Sequence, residues 1–125
     1  MAVTLHRVAR ATLLVAAAAL LASCADSSGS PAPSVEGSWG DVSDSSAPSL
    51  DFAAGGRVSG TDGCNRLMGH WTQDGATVTL IDMASTMMFC QEIDTWLSTA
   101  ATAEIDGETL ALFNENGDQI GTLQR

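Results

Sequence analysis

Five side chains of this sequence are of types that often carry chemistry: the thiols of Cys24, Cys64 and Cys90 and the imidazoles of His6 and His70. A thiolate can act as a nucleophile, a redox group or a metal ligand. A neutral imidazole can act as a general base or as a metal ligand. The sequence around Cys24 differs from that around the other two cysteines, and it predicts a different chemical role for Cys24.

Cys24 follows a segment that is typical of an export signal. Two arginines within the first ten residues precede an apolar run over residues 11–22, in which Thr12 is the only polar side chain. This run is shorter than the ~20 residues of a membrane-spanning helix, but it suits the apolar part of a secretory signal. The next residues resemble the lipobox of bacterial lipoproteins, Leu21-Ala22-Ser23-Cys24.

The lipobox resemblance predicts a signal peptide over residues 1–23 and lipidation of Cys24. A diacylglyceryl group would be attached to the thiol, and further acylation, for example with palmitate, would follow cleavage. Two or more acyl chains anchor a protein stably, whereas one chain is marginal. We therefore expect attachment to the extracytoplasmic face of a cell membrane. The alternative is an ordinary signal peptide with an unrelated cysteine.

Cys64 and Cys90 would then remain as an even pair in an exported, oxidising compartment, where disulfides form. A disulfide that closes this loop would stabilise the folded state by ~3–4 kcal/mol in the chain-entropy model. The alternative is a redox or metal-binding pair. That role has little support, because the two residues form no Cys-x-x-Cys motif and only His70 would survive signal cleavage.

The remaining candidates for chemistry have simpler structural interpretations. His70 could be a general base, but no Ser or Cys accompanies it in a recognisable catalytic pattern, and we expect a strand histidine that partly faces solvent. Asp62-Gly63 and residues 114–118 offer oxygen atoms, yet calcium takes six to eight oxygen ligands and Asn116-Gly117 is a strong hairpin signal. We therefore predict no catalytic residue, no metal and no cofactor.

The charge of the chain excludes one class of partner. The sequence has 15 acidic residues and 5 basic residues, and two of the basic residues lie in the first ten positions. From residue 24 onward, three arginines face fifteen carboxylates, which gives a net charge of −12. Such a surface repels phosphate, so we expect no nucleic-acid binding.

Composition divides the exported part into a tether and one domain. Residues 24–35 are rich in Ser, Pro and Gly and predict a disordered tether behind the lipidated cysteine. Residues 36–125 have the length of one small domain. Alternating apolar residues predict short strands, the first at Ser38-Trp39, and the turns between later strands are predicted at Gly55-Gly56, Gln73-Asp74-Gly75, Asp106-Gly107 and Asn116-Gly117.

One segment of the domain has the period of a helix. Apolar residues recur on one face over residues 90–100, at Cys90, Ile93, Trp96, Leu97 and Ala100. We therefore predict an α+β fold, a small and mainly antiparallel sheet or half-barrel with one packed helix. Trp71 and Trp96 are expected to pack. The methionines at 83, 87 and 88 are expected to fill the core, or alternatively to form an adaptable binding edge.

Three segments of the predicted domain follow the pattern of one family. They are Gly63-Cys64-Asn65 with Gly69-His70-Trp71, the run from Met83 to Cys90, and the run from Ile105 to Leu112 with Asn116-Gly117. In this order they resemble the META domain of HslJ-like heat-shock lipoproteins over about residues 37–124. The matching motif positions are Gly63, Asn65, Gly69, Trp71, Met83, Ala84, Thr86, Met88, Asp106 and Gly107.

The resemblance implies a half-barrel with one helix, a link to the stress response and no established reaction. The sequence therefore predicts a monomeric, non-catalytic lipoprotein of the cell envelope, whose domain is a binding or stress-protective module. An inhibitor or chaperone-like partner of another envelope protein is the alternative. A cell-envelope enzyme would require Cys64, Cys90 or His70 to lie in a concave pocket beside a group that perturbs its pKa.

Overall fold

The computed structural model of the chain describes residues 33–125. These residues form one eight-stranded antiparallel sheet, in which each strand pairs with the next along the chain. The strands are β1 (Gly37–Gly40), β2 (Ser49–Phe52), β3 (Arg57–Thr61), β4 (Arg66–Asp74), β5 (Thr77–Ser85), β6 (Thr102–Asp106), β7 (Thr109–Phe113) and β8 (Gln119–Gln124).

The sheet curls until its first and last strands lie side by side, which gives a nearly closed barrel. In the part of the chain described, hydrogen-bonded pairing runs from β1 through to β8 and does not join these two edges directly. Arg125 bridges them instead. Its guanidinium carbon lies 4.1 Å from the centre of the Trp39 ring, and its Nη1 donates a hydrogen bond of 3.1 Å to the carbonyl of Ser34.

The core occupies the inside of the curled sheet. Strand side chains alternate between this interior and solvent, as in β5, where buried Val78 and Leu80 alternate with exposed Thr77 and Thr79. The buried apolar side chains are Val35, Trp39, Leu50, Phe52, Val58, Leu67, Val78, Leu80, Leu97, Ala103, Ile105, Leu110, Leu112 and Leu123. The alternation that predicts short strands is therefore confirmed, and in β5 its apolar positions face the core.

The α+β prediction is wrong, because residues 33–125 contain no α-helix. Residues 90–100 cross between β5 and β6 as an irregular segment with a single 3₁₀ turn, Trp96–Thr99. Glu92 has a φ of 64°, in the left-handed region, and this interrupts any right-handed helix. The helical spacing has a different origin, since Cys90 forms a disulfide, Trp96 covers Gly121 and Leu97 enters the core.

The predicted hairpins are confirmed with small shifts in position. Gly55 and Gly56 lie between β2 and β3, while the turn between β4 and β5, predicted at Gln73-Asp74-Gly75, lies at Gly75-Ala76. Gly75 has a φ of 61°, which glycine adopts without strain. β5 also runs on to Ser85 and so includes the first three residues of the motif run from Met83 to Cys90.

Residues just before β1 already pack against the domain. Val35, the last residue of the predicted tether, is completely buried. Its backbone N–H donates to Oε1 of Gln73 at 2.9 Å, and its carbonyl accepts from Nε1 of Trp39 at 2.8 Å. The predicted signal peptide, Cys24 and the tether as far as residue 32 lie outside the described residues. Within residues 33–125, no helix is long and apolar enough to cross a membrane.

Candidate functional site

The two cysteines of the domain are joined, as predicted. Cys64 lies in the turn between β3 and β4, Cys90 lies beyond β5, and a disulfide links them with their Cα atoms 5.7 Å apart. While this bond is intact, neither sulfur is available as a nucleophile or a zinc ligand. The bond fixes the segment after β5 to one end of the barrel.

Asn65 fixes the same segment by a second means. Its side chain is buried, its Oδ1 accepts hydrogen bonds from the backbone N–H of Met88 and from Oγ1 of Thr86, and its Nδ2 donates to the Met88 carbonyl at 3.1 Å. Thr86 in turn exchanges hydrogen bonds with the backbone of Arg66. One amide side chain thus holds both backbone polar groups of Met88.

The turn that carries Asn65 is shaped by its neighbours. Oδ1 of Asp62 accepts from the backbone N–H groups of Cys64 and Asn65, at 2.9 and 2.6 Å, while Oδ2 is buried and has no hydrogen-bond partner among the described residues. Gly63 has a φ of 98°, and a Cβ there would lie 2.7 Å from the carbonyl oxygen of Ser46. Only glycine fits this position without strain.

The backbone held in this way carries three exposed apolar side chains, Met87, Met88 and Phe89, here called the tip. Their exposed fractions are 93%, 63% and 91%. The prediction that Met87 and Met88 fill the core is therefore wrong, because the disulfide and Asn65 hold the backbone at the barrel end with these side chains outward. Met83 does pack against the core, as predicted.

The tip lies at one end of the barrel, and residues 33–35 lie at the other. Strand pairing brings the segments 41–48, 62–65 and 86–95 together at the first end, because Gly40 pairs with Ser49 and Thr61 pairs with Arg66. At the second end, Gln73 of β4 binds the backbone of Val35. We call these the tip end and the tether end.

Four exposed acidic side chains, here called the acidic rim, lie on segments at the tip end. Asp41 and Asp44 lie in the exposed segment before β2, and Glu92 and Asp94 are exposed just beyond the disulfide. The hydroxyl and then the backbone N–H of Ser43 donate to Asp41 and lower its pKa, and Ser46 lowers the pKa of Asp44 in the same way. Both carboxyl groups are therefore charged at neutral pH.

An open groove has Asp44 of the acidic rim and Met88 of the tip in its walls. Its walls include Val42, Asp44, Arg66, Leu67, Met68 and Met88. Met68 and Val42 are themselves 50% and 61% exposed, so the apolar surface continues from the tip into the groove. Surface of this kind on a small protein marks an interaction site more often than scattered apolar residues do.

His70 lies apart from the tip. It is exposed on β4, as predicted, and its cross-strand neighbours are Arg57 on β3 and Ile81 on β5. It lines an open depression with Ser59 and Asp82, but within residues 33–125 no hydrogen bond joins any two of these three side chains. The depression lies on the outer face of the sheet and leaves His70 in contact with water.

In the two turns considered as calcium sites, side-chain oxygen atoms accept hydrogen bonds from the backbone of the same turn. Oδ1 of Asn114 accepts from the backbone N–H groups of Asn116 and Asp118, both at 3.0 Å, in the predicted turn between β7 and β8. Oδ1 of Asp62 is likewise used by its own turn. In the described part of the chain, no group of three or more His, Cys, Asp or Glu residues is arranged to hold a metal ion.

The other motif positions build the barrel. Nε1 of Trp71 donates to the carbonyls of Ala53 and Arg57, and its ring meets Phe52 edge-on with centroids 5.9 Å apart. A Cβ on Gly69 would lie 2.9 Å from the backbone carbonyl oxygen of Ile81, so glycine is needed there. Ala84 is exposed on β5. Asp106 and Gly107 lead into the turn before β7, where Gly107 has a φ of 60°.

These features define a class of protein, a small, nearly closed antiparallel barrel with one disulfide, in which the motif residues position a loop. A family model, that of the META domain, matches residues 28–125. The chain therefore belongs to the META domain family. No curated protein and no solved structure matches it.

Proposed function

We propose that this protein is a lipid-anchored lipoprotein of the bacterial cell envelope, whose META domain is a binding or stress-protective module without catalytic activity. The observation that carries the proposal is the tip, since Met87 and Phe89 are more than nine-tenths exposed on a backbone fixed by a disulfide and by Asn65. Exposed apolar side chains on a fixed backbone suit contact with a partner.

The anchor is proposed from the sequence. An arginine-containing start, an apolar run over residues 11–22 and the lipobox-like Leu21-Ala22-Ser23-Cys24 agree with one another. Residues 25–32 would then separate the acylated Cys24 from the domain. Such a protein would remain on the extracytoplasmic face of the membrane.

The non-catalytic role is supported by the state of the candidate reactive groups. Cys64 and Cys90 are bonded to each other, and His70 lies on an open strand face. A general base must reach the proton that it removes, and a nucleophile is normally oriented by that base. Ser59, His70 and Asp82 are not joined in that way.

An inhibitor or chaperone-like partner of another envelope protein is the second candidate function. It differs from the first in requiring one defined protein ligand. The exposed tip and its groove favour it, because they offer apolar side chains and an acidic rim to the same partner.

The anchor is tested by producing the full chain in a bacterium that processes lipoproteins, with Cys24→Ser as the variant. We expect the wild-type protein to enter the detergent phase of a phase-partition assay and its mass to show a diacylated N-terminal cysteine. Cys24→Ser should stay out of the detergent phase or remain an uncleaved precursor. A matched Cys90→Ser variant keeps the anchor and should partition like the wild type. An unmodified Cys24 in the mature wild-type chain would contradict the proposal.

A further inference from the structure

We propose that the tip docks into an apolar pocket on a cationic polypeptide that lies away from the anchoring membrane. This rests on the lipid anchor and the binding role proposed above and adds the site and the chemistry of the partner. The site is Met87, Met88 and Phe89 with the groove beside them, and the recognised chemistry is apolar surface bordered by Lys or Arg.

The position of the tip relative to the tether indicates the direction in which it faces. β4 starts at Arg66, beside the tip, and ends at Asp74, next to the residues that hold Val35. The nine residues of β4 span about 26 Å from first to last, since each step along a strand adds about 3.3 Å. The chain therefore enters the barrel from the tether about one strand length away from the tip.

The predicted tether is short compared with the domain. Nine peptide units join Cys24 to Pro33, and as a flexible linker they would have a mean extent of only about 17 Å. With Cys24 acylated as proposed above, the tether end would be kept near the membrane. The tip end, on the far side of the barrel, projects toward proteins of the surrounding envelope.

Charge determines which partner this surface fits. Residues 33–125 contain fourteen carboxylates and three arginines, a net charge of −11. Near the tip, Asp41, Asp44, Glu92 and Asp94 are exposed, and Arg66 is the basic residue of the groove. Anionic lipid headgroups and acidic proteins are repelled by such a rim, whereas a cationic polypeptide is attracted and oriented by it.

The backbone of the tip is preorganised for docking, because it is fixed before a partner binds. Asn65 binds both backbone groups of Met88, and the disulfide holds Cys90 directly after Phe89. Fixing the backbone in advance lowers the entropy that binding must remove. The methionine side chains remain adaptable and fit pockets of irregular shape.

The proposal is tested in the native cells by photo-crosslinking from the full-length protein. The photoreactive residue p-benzoylphenylalanine replaces Phe89 at the tip. In a matched control it replaces Ile81, an exposed apolar residue of β5 outside the tip. We expect a discrete crosslink from position 89, absent from position 81, to a protein of net positive charge. Its yield should fall at ~1 M salt, where the Debye length is about 3 Å.

Two pairs of charge variants test the acidic rim. Glu92→Gln with Asp94→Asn removes two charges at the tip end, and Asp106→Asn with Glu108→Gln removes two at the tether end, beside Arg125. We expect the first pair to lower the yield at least ~fivefold and the second to leave it unchanged. Equal effects of the two pairs on the crosslink yield would overturn the proposal that the partner is cationic.

Other crosslinking results overturn the proposal directly. A crosslink from position 89 to phospholipid would assign the tip to the membrane, and one to a second copy of the chain would assign it to self-association. A crosslink to an acidic protein, or none at all, would equally refute it. A mass measurement of Cys24 in the same cells shows separately whether the lipid anchor is attached. Failure of the anchor proposal can therefore be distinguished from failure of the docking proposal.

Discussion

At the scale of single residues, Asn65 has the clearest structural role. A buried amide normally needs partners for its oxygen and its nitrogen, and Asn65 finds them in the backbone of Met88 and the hydroxyl of Thr86. An Asp at this position would lack the donor that meets the Met88 carbonyl. The sequence places Asn65 in a family motif, but its partners lie 21 and 23 residues further along the chain.

Replacing Asn65 by Ala should therefore destabilise the domain. The backbone N–H and carbonyl of Met88 lose their partners, and we expect the free energy of unfolding to fall by ~1–3 kcal/mol. Urea denaturation of Asn65→Ala measures this loss, and hydrogen exchange at the Met88 amide should become faster. Asn116→Ala, in an exposed turn, is the control and should stay within about 0.5 kcal/mol of wild type. Similar losses in both variants would show that the hydrogen bonds of Asn65 do not stabilise the domain.

At the scale of elements, the segment between β5 and β6 shows why a helical period can mislead. Its apolar residues are spaced like one face of a helix, yet they contact different parts of the domain. Cys90 is bonded to the turn after β3, Trp96 packs on β8 and Leu97 lies in the core. An isolated helix shorter than ~12 residues is marginal in water, so tertiary contacts decide the conformation. Strands are more predictable here, because alternation and turn glycines are local signals.

The packing of Trp96 on β8 leads to a prediction at Gly121. A Cβ added there would lie 2.7 Å from the indole ring, whereas a Cβ on Gly55 would meet nothing within 4 Å. We expect Gly121→Ala to cost ~1–3 kcal/mol, because Trp96 must leave its position. Gly55→Ala should be neutral or slightly stabilising. Thermal unfolding monitored by tryptophan fluorescence compares the two, and equal midpoints would contradict the packing described.

At the scale of the whole molecule, a small barrel is closed by few contacts. The edges β1 and β8 are bridged by Arg125, which reaches Trp39 and Ser34, and the tip end is closed by the disulfide. A domain of about 90 residues buries less than ~70% of the surface of its unfolded chain. A covalent link across 26 residues therefore has a large effect on its stability.

Removing this link should lower the stability of the entire domain. For Cys64→Ala with Cys90→Ala we expect the free energy of unfolding to fall by ~3–4 kcal/mol, mainly because the unfolded chain is no longer constrained. Denaturant unfolding measures the loss, and wild-type protein in reductant should behave like the double variant. Mass measurement after alkylation, before and after reduction, checks the bond itself. Two alkylated thiols in the non-reduced protein would show that the disulfide is absent.

The sequence by itself predicted the hairpins, the alternation of the strands and the pairing of Cys64 with Cys90, because alternation, turn residues and an even number of remaining thiols are local or countable properties. It also indicated the family, which the match over residues 28–125 established. Only the tertiary structure decided that residues 90–100 form no α-helix and that Met87, Met88 and Phe89 face solvent. Both outcomes depend on contacts between segments distant along the chain, the Asn65–Met88 hydrogen bonds and the disulfide above all, and no local pattern of residue types specifies such contacts.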